Sequence, residues 1–412
     1  MQGESDMTKD NGVSRRGFLK GSGALAAAGW ASVGTGWILR PDWANAQAGP
    51  IKMGIATDIT GAIAPSGNAN WQTAQFTVKR INDAGGILGR PIELYLEDTA
   101  SDPGKAVGNV RRLVQQAEVD VVLGGITSSM REAIKNPIVR RGKTLYIYPQ
   151  LYEGQECTQY LYCTGPTPAQ QCARLLPYLI KEKGFKRFAM PSANYIWPQL
   201  LNKWARKVIE ENGAEVVMED YFPIDQLEYS ATVAKINSEG VDHIFNTTIP
   251  PGLQGFTKQL YESGYYERGG QSCVYFDENS VNYVAPRELE GVYSCVDMFH
   301  TVDDAFTQTL LADYNAMFPD TQYRFTAGTA ATGMYRGIKL YEQAVIAANG
   351  DLALDAVNET MNTASIAEGP GGPARIVPGT NHTEMNMYIA QSKGGVWDII
   401  SAESAVPPQE CA

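Results

Sequence analysis

Hydroxyl, amide, aromatic and acidic side chains gather in the short segments that follow the apolar runs of this 412-residue chain. Gly124-Gly125-Ile126-Thr127-Ser128-Ser129 follows residues 119–123. Glycines there let backbone approach a bound molecule, and Thr127 and Ser128 open a helix whose free N–H groups and hydroxyls suit a carbonyl or carboxylate. An ordinary N-cap explains the same residues. Tyr148-Pro149-Gln150-Leu151-Tyr152-Glu153-Gly154 follows a second run, and Asn194-Tyr195-Ile196-Trp197-Pro198 lies just beyond a third. Tyr195 and Trp197 would make plates for a flat molecule with a polar handle, or simply staple the next helix. Thr247-Thr248 and Asp277-Glu278-Asn279 end two more runs. Convergence of several such loops points to binding of a small polar molecule more strongly than any one loop does.

Motifs for covalent, phosphoryl or metal chemistry do not stand out. Gly85-Gly86-Ile87-Leu88-Gly89 follows a helical pattern rather than a strand, which makes it a turn and not a phosphate loop. There is no Gly-x-Ser-x-Gly elbow, no Cys-x-x-Cys and no His-x-x-x-His, and His243, His300 and His382 are scattered. These features argue against an enzyme, a metal centre and a cofactor.

The elements that position these loops alternate. Strand patterns at 51–56, 92–97, 119–123 and 144–148 are interleaved with helical spacing at 70–84, 105–118 and 128–141. The pattern restarts with helices at 168–183, 197–213, 229–238 and 253–264 between strands at 187–190, 215–221 and 243–246, followed by strands carrying Cys273 and Cys295. Long helices at 328–349 and 351–362, short strands at 374–377 and 385–390 and a proline-rich coil complete the chain, with nothing assigned between 297 and 327. This predicts an α/β protein of two doubly wound parallel-sheet lobes joined by hinge crossovers. The expected first lobe is 49–166 plus 298–349, the second 167–297 plus 350–400, with 401–412 as a tail. Ligands of such sheets sit at the carboxyl ends of the strands, so two facing lobes would line one cleft.

Residues 1–48 read as a leader. Ser14-Arg15-Arg16-Gly17-Phe18-Leu19-Lys20, a weakly apolar Gly/Ala run and Ala44-Asn45-Ala46-Gln47-Ala48 match a twin-arginine export signal cleaved after Ala48 or Ala46. The expected location is the periplasm, without membrane insertion after cleavage. The net charge of −11 becomes −12 without the leader, which disfavours nucleic acid and anionic membranes as partners. Export permits disulfides, and the sequence suggests a local Cys157–Cys163 bridge and a Cys273–Cys295 bridge between adjacent strands.

At these loops the chain resembles the type I periplasmic substrate-binding proteins of ABC transporters, in the branch holding urea, short-chain amide and branched-chain amino acid receptors. General marks are Thr60-Gly61, Ile81-Asn82-Asp83-Ala84-Gly85-Gly86-Ile87-Leu88-Gly89-Arg90-Pro91-Ile92, Asp98 and Ser101-Asp102-Pro103. Narrower marks, similar to the urea and amide receptors, are Tyr148-Pro149-x-x-Tyr152-Glu153-Gly154, Thr164-Gly165-Pro166-x-Pro168-x-Gln170-Gln171, the segment around Tyr195, and Thr380-Asn381-His382. Asn194 replaces the family's usual Asp, and Gln150-Leu151, Pro250-Pro251, Cys157 and Cys163 also depart from its pattern.

The resemblance implies a hinge-bending receptor, without a cofactor, that delivers urea, a short-chain amide or a similar molecule to an inner-membrane permease. Ser128 and backbone N–H groups would bind a carbonyl, and Tyr148, Gln150 and Tyr152 belong to a ligand loop. Tyr195 would cover the flat face, and Thr247 with Asp277 or Glu278 would close from the second lobe. An amino acid or organic acid receptor on the same fold is the alternative, since Asp277 or Glu278 can pair an ammonium. An exported cofactor-binding enzyme is a more distant one.

Overall fold

The computed structural model describes residues 49–328 and 331–411. The leader expected over 1–48 lies outside the described residues. No helix among those described is long and apolar enough to cross a membrane.

The chain begins with β1 (Ile51–Thr57), α1 (Ala64–Asp83), β2 (Ile92–Asp98), α2 (Pro103–Arg112), β3 (Val121–Gly124), α3 (Ser128–Lys135), β4 (Leu145–Tyr148) and β5 (Leu161–Cys163). A second series follows: α4 (Pro168–Lys181), β6 (Arg187–Ala193), α5 (Ile196–Glu211), β7 (Glu215–Phe222), α6 (Ser230–Ser238), β8 (His243–Phe245), α7 (Gly252–Glu262), β9 (Gly270–Ser272) and β10 (Tyr293–Val296). The remainder is α8 (Ala305–Met317), α9 (Thr332–Ala347), α10 (Leu354–Met361), β11 (Ser365–Ile366), β12 (Ala374–Val377), β13 (His382–Lys393) and β14 (Val396–Val406).

Along the sheet the strands run β2-β1-β3-β4-β5-β13-β10-β9-β8-β6-β7. β1 to β5 are mutually parallel, as are β6 to β10. β13 joins the two series, parallel to β5 at His382↔Cys163 and antiparallel to β10 from Tyr293↔Gln391 to Val296↔Tyr388. Strands covered by helices on both faces need apolar residues throughout, and β3 and β4 are buried at every position. The expected α/β architecture of mostly parallel sheet is present. The C-terminal region departs from expectation. β13 is far longer than 385–390, and the predicted coil contains β14, an 11-residue strand hairpinned on β13. Most β14 side chains are exposed, so the apolar alternation that marks a strand is missing.

Neither predicted disulfide forms. Cys163 is buried within β5, packed with Tyr146 and Tyr148, whereas Cys157 is exposed on the preceding loop. Cys157 bonds instead to Cys411, with Cα atoms 5.6 Å apart. Cys273 and Cys295 are both buried free thiols. They lie near adjacent strands but on opposite faces of the sheet, and each packs into a different core.

Candidate functional site

Three loops at carboxyl ends of parallel strands meet segments of the second series around a cavity of about 100 Å³. At about 10–15 Å³ per water on this measure, that is space for a small molecule.

One wall is the start of α3. Gly124 and Gly125 both have positive φ, and a Cβ on Gly124 would fall 2.0 Å from the Ala56 carbonyl oxygen. Glycine therefore lets the β3 end pass close to β1. Thr127 caps the helix, its Oγ1 accepting the Met130 N–H at 3.2 Å. The buried Ser128 hydroxyl donates to Glu153 Oε2 at 2.5 Å. Glu153 in turn accepts from Arg131 Nη2 at 2.8 Å, and Arg131 Nε donates to Glu156 at 3.0 Å. The Arg131 guanidinium sits 5.1 Å from the Tyr148 ring and 5.0 Å from the Tyr152 ring. Burial disfavours the Arg131 charge, but Tyr148 and Glu153 beside it together outweigh that and push its pKa up.

The opposite side brings Tyr195, Trp197, Ile249, Pro250, Tyr275 and Asp277 to the cavity. The Trp197 ring lies 5.9 Å from Tyr275 in an edge contact, and its buried Nε1–H has no hydrogen-bond partner among the described residues. Tyr275 donates to the Thr248 carbonyl oxygen at 2.6 Å. Asp277 Oδ1 accepts the Asn279 N–H at 2.8 Å. Burial, and secondarily the charge of Glu278, raises the Asp277 pKa to about 7. Burial also raises Glu278 to about 7. Asp277 is the sole carboxyl, and no Lys, Arg or His is present, among the described residues lining the cavity.

Six of the predicted residues line this cavity: Thr127, Ser128, Tyr148, Tyr195, Trp197 and Asp277. The other four lie behind it. Gln150 Nε2 donates to Asn70 Oδ1 at 2.7 Å. Tyr152 hydrogen-bonds His382 Nε2 and accepts the Glu156 N–H at 3.2 Å. Thr247 donates to Ser192 Oγ at 2.7 Å, and Glu278 accepts the His300 N–H at 2.6 Å. Sequence reasoning missed Ile63 on the loop after β1, Ser66 in the first turn of α1, and Tyr275, Tyr283 and Tyr323. The β1 loop was readable, since it too follows the carboxyl end of a parallel strand. Tyr323 lay in a stretch without an assigned element.

The family described as periplasmic binding protein matches residues 50–396. An amino acid binding protein of Pseudomonas aeruginosa is 25% identical over 59% of this chain and 66% of its own length. A Leu/Ile/Val-binding protein of Rhizobium johnstonii is 26% identical over 52% of this chain and 58% of its own. The chain thus spans less than two thirds of the length of these relatives. Among solved structures, an R. palustris ABC-transporter solute binding protein in complex with benzoate superposes with a TM-score of 0.76 at 20% identity, covering 88% of this chain and 99% of that one. A Streptococcus pneumoniae branched-chain amino acid transporter substrate binding protein, in complex with isoleucine, gives 0.73 at 20% identity over 87% and 100%. The chain belongs to the periplasmic binding protein family.

Proposed function

We propose that this protein is a periplasmic solute receptor that captures a short-chain amide, urea or a similar small polar molecule and passes it to an ABC permease. The supporting observation is the set of hydrogen-bonding groups in the otherwise apolar cavity wall. Ser128 Oγ, its hydrogen donated to Glu153, offers a lone pair. Asp277 offers a carboxyl, and the Trp197 N–H has no partner among the described residues. An amide NH₂ suits the first two and its carbonyl the third. The apolar walls would hold the acyl part, and the lack of a basic lining residue disfavours a bare carboxylate. Lobes 49–166 plus 298–349 and 167–297 plus 350–400 would close on the ligand by a population shift driven by contacts to both. Export on a twin-arginine leader at 1–48 completes this reading.

An amino acid is the second reading. It is favoured by the names of the matched relatives and by Asp277, which can pair an ammonium while the α3 N-terminus receives a carboxylate. Thermal-shift and calorimetric titration with acetamide, propionamide, urea, leucine, isoleucine and benzoate separates the readings. The amides are expected to raise the melting temperature. Stabilisation by leucine or isoleucine alone would install the second reading, and by benzoate alone would defeat both.

A further inference from the structure

We infer that Glu153, which is absent from the cavity wall, decides what the site accepts by fixing the hydrogen-bond polarity of Ser128. This rests on the reading of the cavity as the ligand site. Glu153 is almost wholly buried, with one oxygen held by Arg131 Nη2 at 2.8 Å and the other 2.5 Å from Ser128 Oγ. Arg131 is anchored independently by Glu156, which also takes Lys135 Nζ at 3.0 Å, and by the Tyr148 and Tyr152 rings. Tyr152 is itself held by His382, whose Nδ1–H donates to the Thr380 carbonyl at 2.5 Å, leaving Nε2 to accept the phenol. A carboxylate paired with a buried guanidinium only accepts. The Ser128 hydrogen is therefore committed to Glu153, and the cavity meets the serine oxygen as an acceptor. The ligand atom seated there must carry a hydrogen, as in an amide or amine. A carboxylate would meet lone pairs, with the Glu153 charge directly behind them.

Glu153→Gln reverses this polarity in a defined direction. Arg131 Nη2 requires an oxygen, so the new amide turns its oxygen to Arg131 and its NH₂ to Ser128. Ser128 Oγ then accepts from residue 153 and its hydrogen is free to point at the ligand.

The test compares acid and amide isosteres by calorimetry: propionamide with propionate, benzamide with benzoate, leucinamide with leucine. The wild type is expected to prefer the amide of a bound pair by at least tenfold, and Glu153→Gln to reduce that preference by tenfold or more. Ser128→Ala, which leaves the Arg131 pairs in place, is expected to abolish the preference while retaining cooperative melting, and it decides the matter if Glu153→Gln fails to fold. A wild-type preference for the acids, or a preference unchanged in either variant, overturns the inference and leaves the receptor reading standing. If no pair binds, the proposed ligand class is wrong, and a crystal structure of the unliganded protein decides the polarity alone. Ser128 Oγ beyond 3.5 Å from Glu153 overturns it, and retained contact upholds it.

Discussion

Asp277 accepts a hydrogen bond from its own loop and lines the cavity, and its proton bears on stability. Unfolded it titrates near 3.8, and folded near 7, because burial and then Glu278 disfavour its charge. The folded state holds the proton more tightly. The group's contribution to stability is therefore complete below about pH 3.8, declines as pH rises to about 7, and is lost above that. Asp277→Asn mimics the protonated carboxyl and keeps an acceptor for Asn279. Its melting temperature should exceed that of the wild type at pH 8, with the difference vanishing near pH 4. An equal shift at both pH values would show that the carboxyl is not titrating in this window. Trp197 poses a simpler question. Its indole N–H is buried beside the cavity without a partner among the described residues. Trp197→Phe should weaken a carbonyl ligand by roughly two- to tenfold, the worth of about one net hydrogen bond. Calorimetry showing no loss would mean that the ligand acceptor lies elsewhere.

Elements whose burial dictates their composition were legible, and those held by long-range partners were not. Residues 119–123 and 144–148 announce covered strands because both faces need apolar side chains, and the end of the second strand supplies Tyr148 to the cavity while the segment after the first supplies Thr127 and Ser128. Trp197 and Tyr195 were legible for the same positional reason. α8 carries a signal of its own. Asp304 caps it through Thr307, and Thr307, Leu310, Leu311 and Tyr314 are its buried face at helical spacing. β14 and the Cys157–Cys411 bond had no comparable signal. Their partners lie far away in sequence, and cysteine spacing favours near neighbours over a pair separated by 254 residues. The segment after β14 is tied down by that bond, by Thr167 donating to the Pro408 carbonyl at 2.9 Å, and by Glu410 accepting the Gln155 N–H at 2.7 Å. Cys411→Ser should cost about 2–4 kcal/mol in non-reducing urea denaturation. Reduced wild type should match the variant. A variant as stable as the oxidised wild type, or peptide mapping that finds Cys157 free, would reject the bond.

At the scale of the molecule the two strand series are joined through shared parts. β13 pairs with β5 on one side and β10 on the other. Close by, Arg336 on α9 donates to the Thr164 carbonyl just after β5 and to Asp297 just after β10, each at 2.7 Å. Both Arg336 and Asp297 are buried, and removing one partner of such a pair leaves an uncompensated charge costing about 3–5 kcal/mol. The segments that leave β5 and β10 thus meet at one guanidinium, and neither series can unfold without exposing β13 and breaking this contact. Unfolding should be a single calorimetric transition with matching calorimetric and van't Hoff enthalpies. A ligand that touches both lobes should move that whole transition, adding about 2.7 kcal/mol at one hundred times its Kd. Two resolved transitions, of which ligand moves only one, would mean that the lobes fold separately and that the ligand binds to one of them instead of bridging the cleft.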